Sequence, residues 1–291
     1  MIMEKLFNNK NIIGIIWMLG FMVSITIMAI CIRELSYKYS SFEIQNFRNI
    51  FSIIIIYIVF LLKKNINLNS KQLKNNFIRN IFHFIGQSAW TWGLTVLPLA
   101  TVFSLEFTMP IWAAIISILI FKEKISLNKI FFLFLGLIGT WIILVPDTRY
   151  IEFSNIIVLF SAITYAFAHN YTKELTKTDS ILSILFFMSI IQLPLSFIGS
   201  IMMGNMQFNI IQEVPLILLL TVTSLLAHYS LSSALKKSDA TIILPIDYIR
   251  LPIIVIIGWY YYNEIITNNV IIGSILIIFG AVIFLRKDIK K

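Results

Sequence analysis

Residues 123–144, EKISLNKIFFLFLGLIGTWIIL, align without a gap on residues 264–285, EIITNNVIIGSILIIFGAVIFL. Glu123 falls on Glu264, Ser126 on Thr267, Asn128 on Asn269 and Gly139 on Gly280. Two apolar stretches agree easily by composition alone, but agreement at polar positions and at a glycine marks a duplicated unit. Upstream, LPLATV (97–102) resembles KSDATI (237–242), and a proline follows in each copy, Pro110 and Pro252. The offset stays between 140 and 142 residues throughout.

The composition says what is duplicated. Of 291 residues, 58% are hydrophobic and 13% charged, against roughly 45–50% and 25% in soluble domains. A sphere of this size lacks the interior to hide that much Ile, Leu and Phe, so the excess faces lipid. A mean hydropathy of +0.88 agrees. A disordered chain, a secreted scaffold and most soluble enzymes are excluded. The one cysteine, Cys31, leaves no disulfide framework and no Cys-based metal site.

A spanning helix takes about 20 apolar residues. The predicted spans are 11–32, 42–62, 77–97, 100–121, 130–145, 155–172, 181–203, 215–235, 241–262 and 268–285. An all-α integral membrane fold of ten helices follows, with residues 11–145 as the first five-helix repeat and 155–285 as the second. With the N-terminus inside, eighteen Lys and Arg, counting Arg79 at the edge of the third span, lie on the cytoplasmic side. Only Arg33, Lys38 and Arg149 lie outside. This positive-inside bias puts both termini in the cytoplasm and assigns the net charge to loops beside anionic lipid, not to nucleic acid. Five spans per repeat is an odd number, so the second copy is inverted; Glu264 accordingly falls in an external loop without Lys or Arg. Inverted repeats in helical membrane proteins commonly build secondary transporters with the site near the midplane.

Several stretches resemble the drug/metabolite transporter superfamily, specifically its EamA-type ten-helix members. They are FEIQNFRNIF (42–51), WTWGLTVLPLATVFSLEFTMPIWAAIISILIFKEKIS (90–126) and the Gly-containing fifth and tenth spans. The resemblance covers nearly the whole chain. It implies a bundle with a central cavity, alternating access and movement of small metabolites. It does not imply a substrate, since the superfamily handles amino acids, sugar phosphates, nucleotide sugars, cationic drugs and S-adenosylmethionine.

An ionisable group inside a span costs roughly 2.5–3.5 kcal/mol on insertion scales, so each needs a reason. Four lie well inside: Arg48, Glu106, Asp247 and Arg250. Glu106 is one turn from Pro110, where a missing backbone donor opens the helix. It either binds a cationic group or a coupling proton, or pairs permanently with Arg48 or Arg250. Asp247 and Arg250 share a helix face, between Pro245 and Pro252, with Tyr248 turned elsewhere. They either pair with each other or present opposite charges to a zwitterion. Arg48 either holds a carboxylate or phosphate in bidentate fashion or snorkels to the outer interface. His83, Gln87 and Trp90 follow i, i+4, i+7 spacing and read as a cavity wall, with an interfacial histidine and an aromatic-belt anchor as the alternative. His169 with Tyr165, and His228 with Ser224, read as structural pairs.

The expected function is a proton-coupled or facilitative transporter of a small polar, zwitterionic or cationic metabolite, such as an amino acid or S-adenosylmethionine. It would sit in a bacterial inner membrane, as a monomer or homodimer, without a cofactor or resident metal. An exporter of other chemistry stays open. So does a membrane-embedded enzyme acting on lipid-linked substrates, which would need a paired-carboxylate or His/Asp constellation at the membrane surface. A regulatory subunit without transport is the remaining alternative.

Overall fold

The structure, a computed structural model, describes residues 9–62, 67–121, 127–144, 152–204, 207, 209–237, 247 and 250–288. Glu123, Ser126, Arg149, Pro245 and Tyr248 lie outside the described residues. Eleven helical segments are described: α1 (Asn9–Leu35), α2 (Ser41–Leu62), α3 (Leu73–Val96), α4 (Leu99–Glu106), α5 (Met109–Phe121), α6 (Leu127–Leu144), α7 (Phe153–Leu175), α8 (Ile181–Met202), α9 (Val214–Lys237), α10 (Arg250–Tyr262) and α11 (Asn268–Asp288). They overlie the predicted spans, with the fourth divided into α4 and α5. Among the described residues α1, α2, α8 and α9 are long and apolar enough to cross a membrane.

Burial runs inside out relative to a soluble protein. The outer surface carries Met202, Leu62, Trp141 and Phe134, each more than half exposed. The interior holds Asn76, Asn80, His83, Gln192 and Ser196, none of them accessible. In lipid this is the stable arrangement, because apolar side chains lose nothing outside while polar ones find partners only within.

Local chemistry sets the ends of the helices. Ser180 opens α8 by accepting the Ser183 backbone N–H on its hydroxyl at 3.0 Å. Leu97 is extended (φ −114°, ψ 154°), as a residue before proline prefers, so α3 ends there and Pro98 leads directly into α4.

The packing follows the repeat. α2 lies against α8 and α6 against α11, each meeting its own counterpart in the other half, and α4 lies against α10, so that the two copies of the predicted fourth span also meet. α1 packs on α9 and α3 on α7, and these two pairs exchange when the halves are interchanged. Such pairing is what a pseudo-two-fold relation between two five-helix halves produces. At the α6–α11 contact a Cβ on Gly139 would stand 2.6 Å from the Gly273 carbonyl oxygen, so only glycine admits this approach.

Candidate functional site

The site grows from the break between α4 and α5. Pro110 cannot donate to the carbonyl of Glu106, and its ring would collide with that carbonyl in a continuous helix. The chain responds with a tight turn at Phe107 and Thr108, where the Thr108 N–H bonds the Leu105 carbonyl at 3.1 Å and the Ile111 N–H bonds Thr108 at 2.9 Å. Glu106 is thereby the last residue of α4, at the end where helix carbonyls disfavour a carboxylate. Its partners offset that. The Trp90 indole N–H donates to one carboxylate oxygen at 2.8 Å, and Arg250 donates to the other at 3.1 Å.

The same Arg250 nitrogen donates to Asp247 at 2.6 Å. Two carboxylates therefore share one guanidinium, and all three residues are buried. Glu106 and Asp247 are 141 residues apart, the offset of the repeat. Each half thus delivers one carboxylate to the same place, and Arg250 corresponds in register to Met109, so the cation belongs to the second half only. Rings of Phe103, Phe107 and Phe21 stand 4.7, 5.2 and 5.5 Å from the guanidinium carbon, which adds cation–π attraction where water is excluded.

Two small cavities adjoin this cluster. One, about 20 Å³, is bordered by Glu106, Asp247, Met109 and Pro110. The other, about 30 Å³, is bordered by Gln87, Trp90, Glu106, Tyr165, His169 and His228. Spaces of that size hold a water or two, since a water needs roughly 10–15 Å³ by the same measure. Among the described residues, the spaces bordering the carboxylates are thus no larger than that.

Arg48 and His83 are brought together, but not at the cluster. Arg48 donates to the Gln192 side-chain oxygen at 3.0 Å, and the Gln192 amide nitrogen faces His83 Nδ1 at 2.9 Å. Gln192 was not singled out from the sequence, although Ser189, Gln192, Ser196 and Ser200 make a polar stripe at helical spacing that marks it. His83 stands behind His228, ring against ring at 4.8 Å. Of the two, His228 borders the cavity, as does His169, which stacks on Tyr165. Gln87 bonds Thr91 at 3.1 Å and borders the larger cavity. Ser224 does not pair with His228; among the described residues its hydroxyl has no partner.

Arg79, counted from the sequence with the cytoplasmic charges at the edge of the third span, is 1% exposed and donates to Thr172 at 3.1 Å and Asn80 at 2.7 Å inside the bundle. It lies on the stripe Asn76, Arg79, Asn80, His83, Gln87 and Trp90 of α3, which extends the pattern already visible at its C-terminal part.

Glu264 is likewise engaged. Both of its oxygens accept the Leu99 N–H, at 2.9 and 2.8 Å, at the start of α4. Arg33 pairs with it at 3.2 Å and donates to the Leu97 carbonyl at 2.6 Å. One carboxylate thus ties the α10–α11 loop, the α3–α4 turn and the end of α1 together.

A family model described as the EamA-like transporter family matches twice, at residues 12–145 and 153–286. The chain is 27% identical over 282 residues to an S-adenosylmethionine uptake transporter of Rickettsia prowazekii, spanning 96% of this chain and 94% of that protein. A riboflavin transporter of Brucella anthropi is 26% identical over 207 residues, 70% of this chain and 73% of its own length. One crystal structure superposes with a TM-score of 0.68 over 93% of this chain and 95% of its own, at 11% identity. That last likeness concerns the fold alone.

Proposed function

The chain belongs to the EamA-like transporter family, and we propose that it is an alternating-access carrier for a small zwitterionic metabolite with a positive centre, S-adenosylmethionine first among them. One observation carries this reading: Glu106 and Asp247 share a single guanidinium, so the cluster holds one negative charge more than it neutralises. In an interior of low dielectric that excess attracts a cation strongly. A sulfonium or ammonium group, or a proton, satisfies it, and Trp90, Phe21 and Tyr165 around the cavities suit a positive or flat ligand. The near-full-length likeness to uptake transporters for S-adenosylmethionine supports both the substrate and the inward direction.

The alternating-access element rests on the pairing of the halves and on the small volume of the cavities beside the carboxylates. With both termini cytoplasmic and the halves inverted, as the charge distribution supports, each half opens the shared site to one face of the inner membrane in turn. The helix break at Pro110, beside the Glu106 carboxylate, supports this reading, since broken helices in transporters expose backbone carbonyls to the substrate.

The test is uptake of radiolabelled S-adenosylmethionine into proteoliposomes, with riboflavin and lysine alongside. Saturable uptake of S-adenosylmethionine above protein-free liposomes is expected. Uptake of riboflavin alone would replace the substrate, and uptake of none of the three would overturn this reading.

A further inference from the structure

Four arginines of the described chain are wholly or largely buried, and they divide into two kinds. Arg250 faces two carboxylates and Arg33 faces one. Among the described residues, Arg48 and Arg79, 2% and 1% exposed, meet only neutral oxygens: Gln192 and Asn49 for Arg48, Thr172 and Asn80 for Arg79. The two belong to one network. Asn80 accepts from Arg79 on its side chain, and its backbone oxygen accepts from Gln192 at 3.5 Å. Two buried positive charges without a negative one are among the costliest arrangements a bundle can hold.

The free atoms of this network are donors. Among the described residues, Nε and Nη1 of Arg48 have no partner, and neither does Nε2 of His83. The state of His83 follows from its neighbours. A guanidinium only donates, so the Gln192 atom facing Arg48 is the oxygen and the one facing His83 is the amide nitrogen. His83 Nδ1 therefore accepts, and its proton sits on Nε2. A set of unpartnered donors beside two uncompensated cations selects an anion over a cation or a neutral group.

We propose that Arg48, with the Nε2–H of His83 and the positive field of Arg79, forms a carboxylate-binding site, and that it takes the carboxylate of the transported zwitterion. The deepening rests on the substrate reading above. The His83–His228 ring contact sets this site directly behind the wall of the Glu106 cavity, so a zwitterion bound with its positive centre at Glu106 and Asp247 would turn its carboxylate toward Arg48. Arg48 is the contact residue, having free N–H groups; Arg79, already bonded through two nitrogens, acts through its charge.

The purified full chain, unfolded thermally while sodium acetate is titrated at constant ionic strength, tests the site without any substrate. Acetate is expected to raise the midpoint saturably, and Arg48→Gln to raise the half-saturating concentration by at least about tenfold, the scale of one charge-assisted hydrogen bond. Arg48→Lys, which keeps the charge and the fold but loses the fork, is expected to fall between. Surface Lys38→Gln is expected to match wild type. Equal acetate responses in wild type and both Arg48 variants would overturn the site. Chloride acting where acetate does not would overturn the carboxylate assignment.

A second arm uses S-adenosylmethionine and its methyl ester as competitors of uptake. The ester is expected to compete at least about tenfold more weakly in wild type. Equal competition by ester and acid would sink the carboxylate role while leaving transport standing. Acetate binding that maps to Arg48 in a protein that does not transport S-adenosylmethionine would keep the anion site and reject the substrate.

Discussion

Arg250 owes its place to two carboxylates, and they owe theirs to it. Replacing it by Met leaves Glu106 and Asp247 buried together without a cation, which is expected to lower stability by about 3–5 kcal/mol. Thermal unfolding in detergent measures that. Glu106→Gln is milder for the fold, because Asp247 still holds Arg250 and the amide oxygen still accepts from Trp90. It is expected to remove at least nine-tenths of uptake while the protein remains membrane-inserted, and wild-type uptake by this variant would remove the cluster from the transport site. Charge rarity made Arg48, Glu106, Asp247 and Arg250 legible: a charged residue in an apolar run announces itself. Arg79 was not legible in that way. It follows the polar run Lys74–Asn76 and resembles a flanking loop charge, and only the continuing stripe through Asn80 and His83 distinguishes it. Which histidine borders the cavity depends on how α3, α7 and α9 rotate against one another, and helical spacing within one segment carries no information about that.

At the scale of elements, the α4–α5 break is a chemical consequence of one ring. Pro110→Ala restores the missing N–H, so the helix is expected to run through Phe107 and Thr108 and to swing the Glu106 carboxylate away from Trp90. Uptake should fall more than tenfold while the unfolding midpoint does not fall, a split that separates position from stability. The α6–α11 contact is the opposite kind of element, one that tolerates no addition. Gly139→Ala puts a methyl 2.6 Å from the Gly273 oxygen, and a destabilisation of about 1–3 kcal/mol is expected from the forced separation. Helix positions were readable because apolar run length follows the thickness of a bilayer. The division of the fourth span was readable only as a weakness at Pro110, since proline kinks some helices and breaks others according to what packs nearby.

For the molecule as a whole, the contacts at Glu264 decide how firmly one end of the bundle is held. Glu264→Gln weakens its pairing with Arg33 and the Leu99 N–H, so amide hydrogen exchange at residues 99–101 is expected to accelerate, with uptake altered. Exchange unchanged from wild type would mean that this tie does not hold the end closed. Lys38 and Glu213 bridge neighbouring segments at 2.7 Å but are exposed enough for solvent to weaken the pair. Their hydrogen bond holds Glu213 below the ordinary carboxylate range and Lys38 above the ordinary lysine range. The contribution of the pair is therefore lost only as pH falls through the lowered value of Glu213 or rises through the raised value of Lys38. Across about pH 6–8 it is constant, and Glu213→Gln is expected to leave the pH profile of uptake unchanged there.

Cys31 is the only thiol in the chain, and it lies 1% exposed in the core of α1. The natural protein is thus close to a blank for thiol chemistry: reagents that react with exposed cysteines pass it by. Pairs of cysteines placed on the loops either side of Glu264 can carry spin labels or fluorophores without first removing a native residue. The distances between those probes, with and without substrate, would turn opening and closing into a quantity read in ångströms.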